Sequence, residues 1–268
     1  AVTAQISIGQ MLIAGIVPGI LLASLYIGYI VVVGWLKPEW VPIDRSMRSA
    51  PWREKLLSLR TLVFPIMLIV LILGSIFFGI ATPTESAAVG VGGALLPALF
   101  KRSVSLGMLR AVGAETLKAS AMILWITLGA KAYVAIFTGL GGADTLLQFI
   151  QGLDVNRWLI LGAMMLLLIF LGTVLDELGI ILLTVPVFLP IAQQAGIDPV
   201  YFGVIFIINC SLGMITPPVG VVLNVVSSIG KVTLGQAARG VMPFLLAEVA
   251  ALAALVLWPA LVIVPAGW

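Results

Sequence analysis

The sequence has 268 residues, of which 62% are apolar and only 9% charged, and its mean hydropathy is +1.23. A soluble domain of this length carries about a quarter charged residues, so the chain has too little polar surface to coat a water-soluble globule. It has no histidine and one cysteine, Cys210, which excludes an internal disulfide, a cysteine metal cluster and the commonest general base. The formal charge of +3 is sorted by loop and reads as a topology signal, not a nucleic-acid surface.

Taken in chain order, hydrophobic segments fall at 10–36, 62–81, 83–99, 117–139, 157–175, 178–195, 200–214, 218–230 and 241–264. Several reach the roughly 20 apolar residues that cross a hydrocarbon core. The expected fold is an all-α polytopic membrane protein lying in a lipid bilayer. The chain opens Ala1-Val2-Thr3-Ala4-Gln5, with no initiator Met and no charged region before a cleavage site. No signal peptide is expected, and a processed chain or a fragment both fit this start.

Lys37, Arg45, Arg48, Arg53, Lys55 and Arg60 lie in one connection, Lys101, Arg102, Arg110 and Lys118 in a second, and Lys231 and Arg239 in a third. These are twelve of the 14 basic residues. The positive-inside rule puts the three connections in the cytoplasm and those near 140–156 and 193–199 outside. Parity then requires 157–195 to start and finish outside, as two full spans or as one re-entrant hairpin. Residues 200–230 make one inward crossing, and 241–264 carries the C-terminus to the periplasmic side. Asp144 to Leu153 alternates at helical spacing and predicts a short interfacial helix. Trp40 and Trp52 mark a second interfacial segment between 37 and 60.

Two places break the helical pattern. In Gly172-Thr173-Val174-Leu175-Asp176-Glu177-Leu178-Gly179, adjacent carboxylates sit between two apolar arms. If the arms form a hairpin, this tip lies at membrane depth, where non-helical backbone is tolerated only inside protein or beside a wet cavity. Two full spans joined by a cytoplasmic turn fit the same residues. The second break is Asn209-Cys210-Ser211-Leu212-Gly213-Met214-Ile215-Thr216-Pro217-Pro218-Val219-Gly220. Pro217 and Pro218 lack backbone donors and disfavour helix in the residue before each, so the helix must unwind near Thr216. Freed carbonyls at one half-helix end attract a cation, and freed N–H groups at the other attract an anion. Asn209, Ser211, Thr216 and Asn224 offer side-chain oxygens nearby, while a plain proline kink is the bland alternative.

Lys131 and Glu248 fall within spans and read as structural, by snorkelling or by pairing with a neighbouring helix. Thr82-Pro83-Thr84-Glu85-Ser86 reads as a helix start. The Gly90, Gly92 and Gly93 run after it suits close helix packing.

The stretch from Ala81 to Gly90 (ATPTESAAVG) resembles a segment of the large membrane subunits of tripartite ATP-independent periplasmic (TRAP) transporters. Leu175-Asp176 with Ile180 to Pro186, Gly196 to Gly203 (GIDPVYFG) and Asn209 to Gly220 resemble three further family stretches, in family order and spacing. The resemblance covers essentially the whole chain. It implies a sodium-coupled, elevator-type secondary transporter in the bacterial inner membrane. The solute would be a small carboxylate-bearing organic acid delivered by a periplasmic substrate-binding protein, and a small membrane subunit would accompany the large one. Sodium is the coupling ion, and no other cofactor is implied.

The implied site residues are Gly172, Thr173, Asp176, Asn209, Gly213, Thr216, Pro217, Pro218 and Gly220, with Na+ near Thr173, Asp176, Asn209 and Thr216. The implied organisation is scaffold-type helices over 1–139 with a basic loop at 37–61, an interfacial linker helix at 140–156, a transport core of hairpin and broken helix over 157–230, and a final transmembrane helix over 231–268. The family builds its core from two inverted repeats, and the first repeat's hairpin is not found here. The expectation is half a core, unable to transport alone.

Three other functions fit less of the sequence. A related ion-coupled anion transporter or antiporter would work without a binding protein. An intramembrane enzyme would use Asp176 and Glu177 as an acid–base pair, but no second catalytic constellation appears. A structural scaffold does not account for two polar helix breaks.

Overall fold

The computed structural model describes residues 1–40, 52–100, 104–152, 156–217 and 220–264. Among the described residues every regular element is helical: α1 (Ile8–Ala14), α2 (Ile16–Leu36), α3 (Trp52–Phe77), α4 (Pro83–Phe100), α5 (Leu106–Gly139), α6 (Gly142–Gly152), α7 (Arg157–Gly172), α8 (Glu177–Gln194), α9 (Pro199–Ile215), α10 (Val221–Gly230), α11 (Leu234–Leu257) and α12 (Ala260–Ile263), with single 3-10 turns at Val2–Ala4 and Pro38–Trp40. Among the described residues four stretches are long and apolar enough to cross a membrane: Ile8–Leu36, α5, α8 and α11. Ile27, Trp125 and Ile136 on α2 and α5 are exposed, as lipid-facing side chains must be. The protein is an all-α polytopic membrane protein.

Helix ends depart from the hydrophobic segments for a consistent reason. Hydropathy marks the part of a helix that meets lipid, whereas caps mark where the helix begins. α5 starts at Leu106, eleven residues before its apolar stretch, just after Ser105, whose hydroxyl accepts the Met108 N–H (3.1 Å). α11 starts at a capping box, in which Thr233 and Gln236 exchange hydrogen bonds of 3.0 and 3.3 Å, although its apolar run begins later. α3 likewise begins at Trp52 and stops at Phe77, before Gly79 turns the chain in the left-handed region (φ +65°). The short helix predicted over Asp144 to Leu153 is present as α6 (Gly142–Gly152). The other expected interfacial segment falls largely on 41–51, outside the described residues.

The described contacts form two compact units. Val33–Ala119 is one, and within it α3 and α4 pair. At the start of α4 the Thr82 N–H and hydroxyl both donate to Glu85 Oε2 (2.7 and 2.8 Å), and the Thr82 hydroxyl accepts the Glu85 N–H (3.3 Å). This is the helix start that the sequence predicts. Buried Ser86 bonds the Ser75 hydroxyl at 2.8 Å. Gly90 and Gly93 face Ile72 and Leu68 at close range, while Gly92 has no neighbour within 4 Å of a Cβ position. Two of the three glycines therefore serve packing.

Ala1–Val32 with Ser120–Trp268 is the other unit, and α9 is its axis. α9 packs against α1, α7, α8, α10, α11 and α12, and its residues Phe202, Ile205, Asn209, Cys210 and Leu212 are among the most buried in the chain. A helix that is apolar all round belongs in a core. Its start is local chemistry: Gly196 (φ +71°) ends the preceding turn, Asp198 accepts the Tyr201 N–H (2.9 Å), and Pro199 takes the first helical position. The Tyr201 hydroxyl then donates to the Leu255 carbonyl on α11 (3.2 Å).

α7 and α9 meet backbone to backbone. A Cβ on Gly213 would lie 2.8 Å from the Gly172 Cα and 3.0 Å from the Ile169 carbonyl oxygen. Neither atom belongs to a flexible side chain, so a larger residue must separate the helices. Gly213→Ala is expected to destabilise the purified protein by about 1–3 kcal/mol through overpacking. Gly162→Ala, whose Cβ would meet nothing within 4 Å, should be neutral or stabilising by up to about 1 kcal/mol. Unfolding midpoints of the two variants in detergent check the contrast.

Candidate functional site

α7 and α8 form a helical hairpin whose tip is only Thr173 to Asp176. Asn156 caps α7 by accepting the Trp158 N–H (3.0 Å). At the other end Thr173 closes the helix, donating its N–H to Ile169 and Phe170 and its hydroxyl to the Phe170 carbonyl (2.7 Å). Asp176 then takes an extended conformation and caps α8, its carboxylate accepting the Gly179 N–H at 3.4 Å. Asp176 and Glu177 are half-buried, while Gly172 and Thr173 are buried. The arms are 16 and 18 residues long, or about 24 and 27 Å at 1.5 Å per residue.

The interruption expected near Thr216 is present. α9 ends at Ile215, Thr216 is extended (φ −82°, ψ 128°), and α10 starts at Val221. Pro218 lies outside the described residues, but its chemistry and that of Pro217 account for the break. In a continuing helix the carbonyls of Gly213 and Met214 would accept from residues 217 and 218, and both are prolines without an N–H. The Gly213 carbonyl is recovered by the Thr216 N–H (3.1 Å), and the Thr216 hydroxyl donates to Leu212. The Met214 carbonyl has no such substitute among the described residues.

Gly220 carries the return of the chain with φ +47°, a conformation that glycine adopts without steric cost. A Cβ there would lie 3.2 Å from both the Met214 and Thr216 carbonyl oxygens. The two oxygens thus converge on one point beside the break. On the other side, α10 has no side-chain cap, so its first N–H groups form an anion-attracting end.

Asn209 lies about two turns before the break and is fully buried. Its Nδ2 donates to the Met165 carbonyl on α7 (2.8 Å), while its Oδ1 is buried without a hydrogen-bond partner. Such an orphaned acceptor costs about 1–3 kcal/mol unless something occupies it.

The structure therefore gathers the expected residues into two groups. Gly172 and Gly213 meet at the crossing of α7 and α9, and Asn209 joins the same two helices through Met165. Thr216, Pro217 and Gly220 form the break. Thr173 and Asp176 bond within their own hairpin. Sequence reasoning missed the Met165 and Met214 carbonyls. The second was legible, because Met214 stands four residues before Pro218. Glu248, expected to pair with a neighbouring helix, is buried on α11 and accepts a hydrogen bond from the Tyr26 hydroxyl of α2 (3.4 Å). Tyr26 and Tyr29 in turn pack edge-on against Phe244.

The profile of the tripartite ATP-independent periplasmic transporter DctM component matches residues 1–261. The C4-dicarboxylate TRAP transporter large permease protein of Pseudomonas aeruginosa is 33% identical over 92% of this chain and 57% of its own length. The 2,3-diketo-L-gulonate TRAP transporter large permease protein of Escherichia coli is 31% identical over 100% of this chain and 62% of its own length. The sialic acid TRAP transporter large permease protein of Vibrio cholerae is 33% identical over 96% and 60%. The chain thus spans about three fifths of the length of these relatives. By profile and by relatives alike, it belongs to the DctM component family of tripartite ATP-independent periplasmic transporters.

Proposed function

We propose that this chain is part of the membrane permease of a sodium-coupled secondary transporter that takes up carboxylate-bearing organic solutes. In this reading a periplasmic binding protein delivers the solute, and a small membrane subunit completes the assembly in the bacterial inner membrane. Residues 157–230 are the moving transport core, with a re-entrant hairpin and a broken helix, and the remaining spans are scaffold. The C-terminus lies on the periplasmic side.

The observation that carries this reading is the pair of carbonyl oxygens, Met214 and Thr216, converging beside Gly220 at a helix break. A dehydrated monovalent cation requires such oxygen ligands, and a broken helix in a membrane supplies them without a carboxylate cluster. The orphaned Oδ1 of Asn209 is a further acceptor on the same helix. The uncapped start of α10 suits the carboxylate of the solute. The hairpin arms fall short of the roughly 30 Å hydrocarbon core, which favours a tip that stays within the layer. The relatives named above are transporters of C4-dicarboxylates, 2,3-diketo-L-gulonate and sialic acid, all organic acids, which supports the solute class.

Two outcomes are expected. Pro218→Ala restores an N–H four residues after Met214, which would close the carbonyl and remove a ligand. In proteoliposomes holding the complete transporter and its binding protein, the sodium concentration for half-maximal uptake should rise on the order of tenfold, as for the loss of about 1.4 kcal/mol of binding. An unchanged sodium dependence counts against ligation at the break. Separately, a ligand at a hundred times its Kd stabilises a folded state by about 2.7 kcal/mol. Saturating NaCl should therefore raise the unfolding temperature of the purified protein above that in KCl. The difference should shrink in Asn209→Ala if Oδ1 faces the ion.

A further inference from the structure

A cation stands outside the hairpin and the broken helix. Lys131 lies in α5, eight residues before the helix ends at Gly139, which is about 12 Å along the axis. That is farther than a lysine side chain reaches, so its ammonium does not extend to the end of its own helix. Among the described residues Lys131 has no ion-pair partner, the one salt bridge there being Lys118 with Glu115. A lysine turned to lipid at the centre of a span costs about 2.5–3.5 kcal/mol on insertion scales, and unpaired cations at this depth are placed against water or an anion instead.

Lys131, whose side chain is exposed, lines an open cavity of about 710 Å³, within the size range of small-molecule sites. α5 forms one wall with Thr127 and Lys131, α8 the other with Leu182 and Pro186, and Thr3 and Gln5 close it. Lys131 is the one charged side chain among its lining residues. The Thr127 hydroxyl proton is given to the Ile123 carbonyl (2.7 Å), and Gln5 contributes an amide while holding a left-handed backbone (φ +54°). A backbone strained in this way persists where its surroundings hold it.

We propose that this cavity is a water-filled binding site for a small organic anion, a carboxylate or sulfonate, with Lys131 as its cation. Leu182 and Pro186 lie six and ten residues beyond Asp176 on α8, so the site runs along the hairpin arm and is separate from the tip. It goes beyond the sodium-coupled reading and stands if that reading fails, because it rests on an unpaired lysine in a cavity and on nothing at the helix break.

The test uses thiol chemistry on the full chain, whose one native cysteine, Cys210, is fully buried. Val134→Cys places a thiol on the cavity wall one turn from Lys131. The rates of modification by anionic sulfonatoethyl methanethiosulfonate and cationic trimethylammonioethyl methanethiosulfonate are compared, with the parent chain as background. The anionic reagent should be favoured. Lys131→Gln should lower the anion-to-cation rate ratio on the order of tenfold, in line with electrostatic focusing in a cleft, and Lys131→Arg should keep it. Raising KCl to about 0.3 M should reduce the ratio in the Val134→Cys chain itself, a readout that needs no substitution at Lys131. Neither reagent reacting would show a dry or protein-filled space. A ratio indifferent to Lys131→Gln and to salt would show that the lysine does not set the field. Either result overturns the proposal. Sodium is absent throughout, so failure here leaves the coupling experiment unaffected.

Discussion

Within a bilayer there is no water to accept or donate the hydrogen bonds that a chain leaves open, so each backbone polar group must be satisfied by the protein or by what it binds. This constraint explains why the regular elements of the described chain are all helical and why the interruption between α9 and α10 matters. Pro217 and Pro218 withdraw two consecutive donors from the end of α9. Thr216 compensates in part, recovering the Gly213 carbonyl with its N–H and bonding Leu212 with its hydroxyl. Among the described residues nothing does the same for the Met214 carbonyl. The Met214 and Thr216 oxygens lie within 3.2 Å of the same point, where a Cβ on Gly220, a glycine with positive φ, would stand.

Such a site must be held still, and α9 is built for that. Its sides are covered by α7, α8 and α11, and its crossing with α7 brings Gly172 against Gly213 with no side chain between. The Asn209 amide adds a directional bond to the Met165 carbonyl one face along. Close backbone contact gives dispersion attraction without the rotamer entropy that a long side chain would lose, which is the advantage of small residues at membrane helix crossings. The hairpin tip follows the same economy of polar groups. Thr173 returns its donors to its own helix, and Asp176 spends its carboxylate on the start of α8.

The features most legible in the sequence were those governed by neighbours along the chain. The proline pair predicted unwinding at Thr216, the Thr82-Pro83-Thr84-Glu85 run predicted the start of α4, and Gly196 with Asp198-Pro199 contains the turn and cap that open α9. The early starts of α5 and α11 were also written there, in Ser105 and in Thr233 with Gln236, but hydropathy drew attention past them. Contacts between distant segments were not legible. Nothing local to Gly172 names Gly213 as its partner, and Met165 enters through its carbonyl, which every residue has. Lys131 could be seen as an intramembrane charge, but the cavity beside it depends on how α5 and α8 stand apart.

The claim on which this account rests is that the Met214 and Thr216 carbonyls beside the break hold a monovalent cation. Thallium(I) substitutes for alkali ions at oxygen sites and scatters anomalously, so diffraction from crystals grown in a thallium salt would locate it. The account predicts an anomalous peak in coordination range of the Met214 and Thr216 carbonyl oxygens that fades when sodium is added back. Crystals with thallium bound elsewhere and no peak beside Gly220 would contradict it.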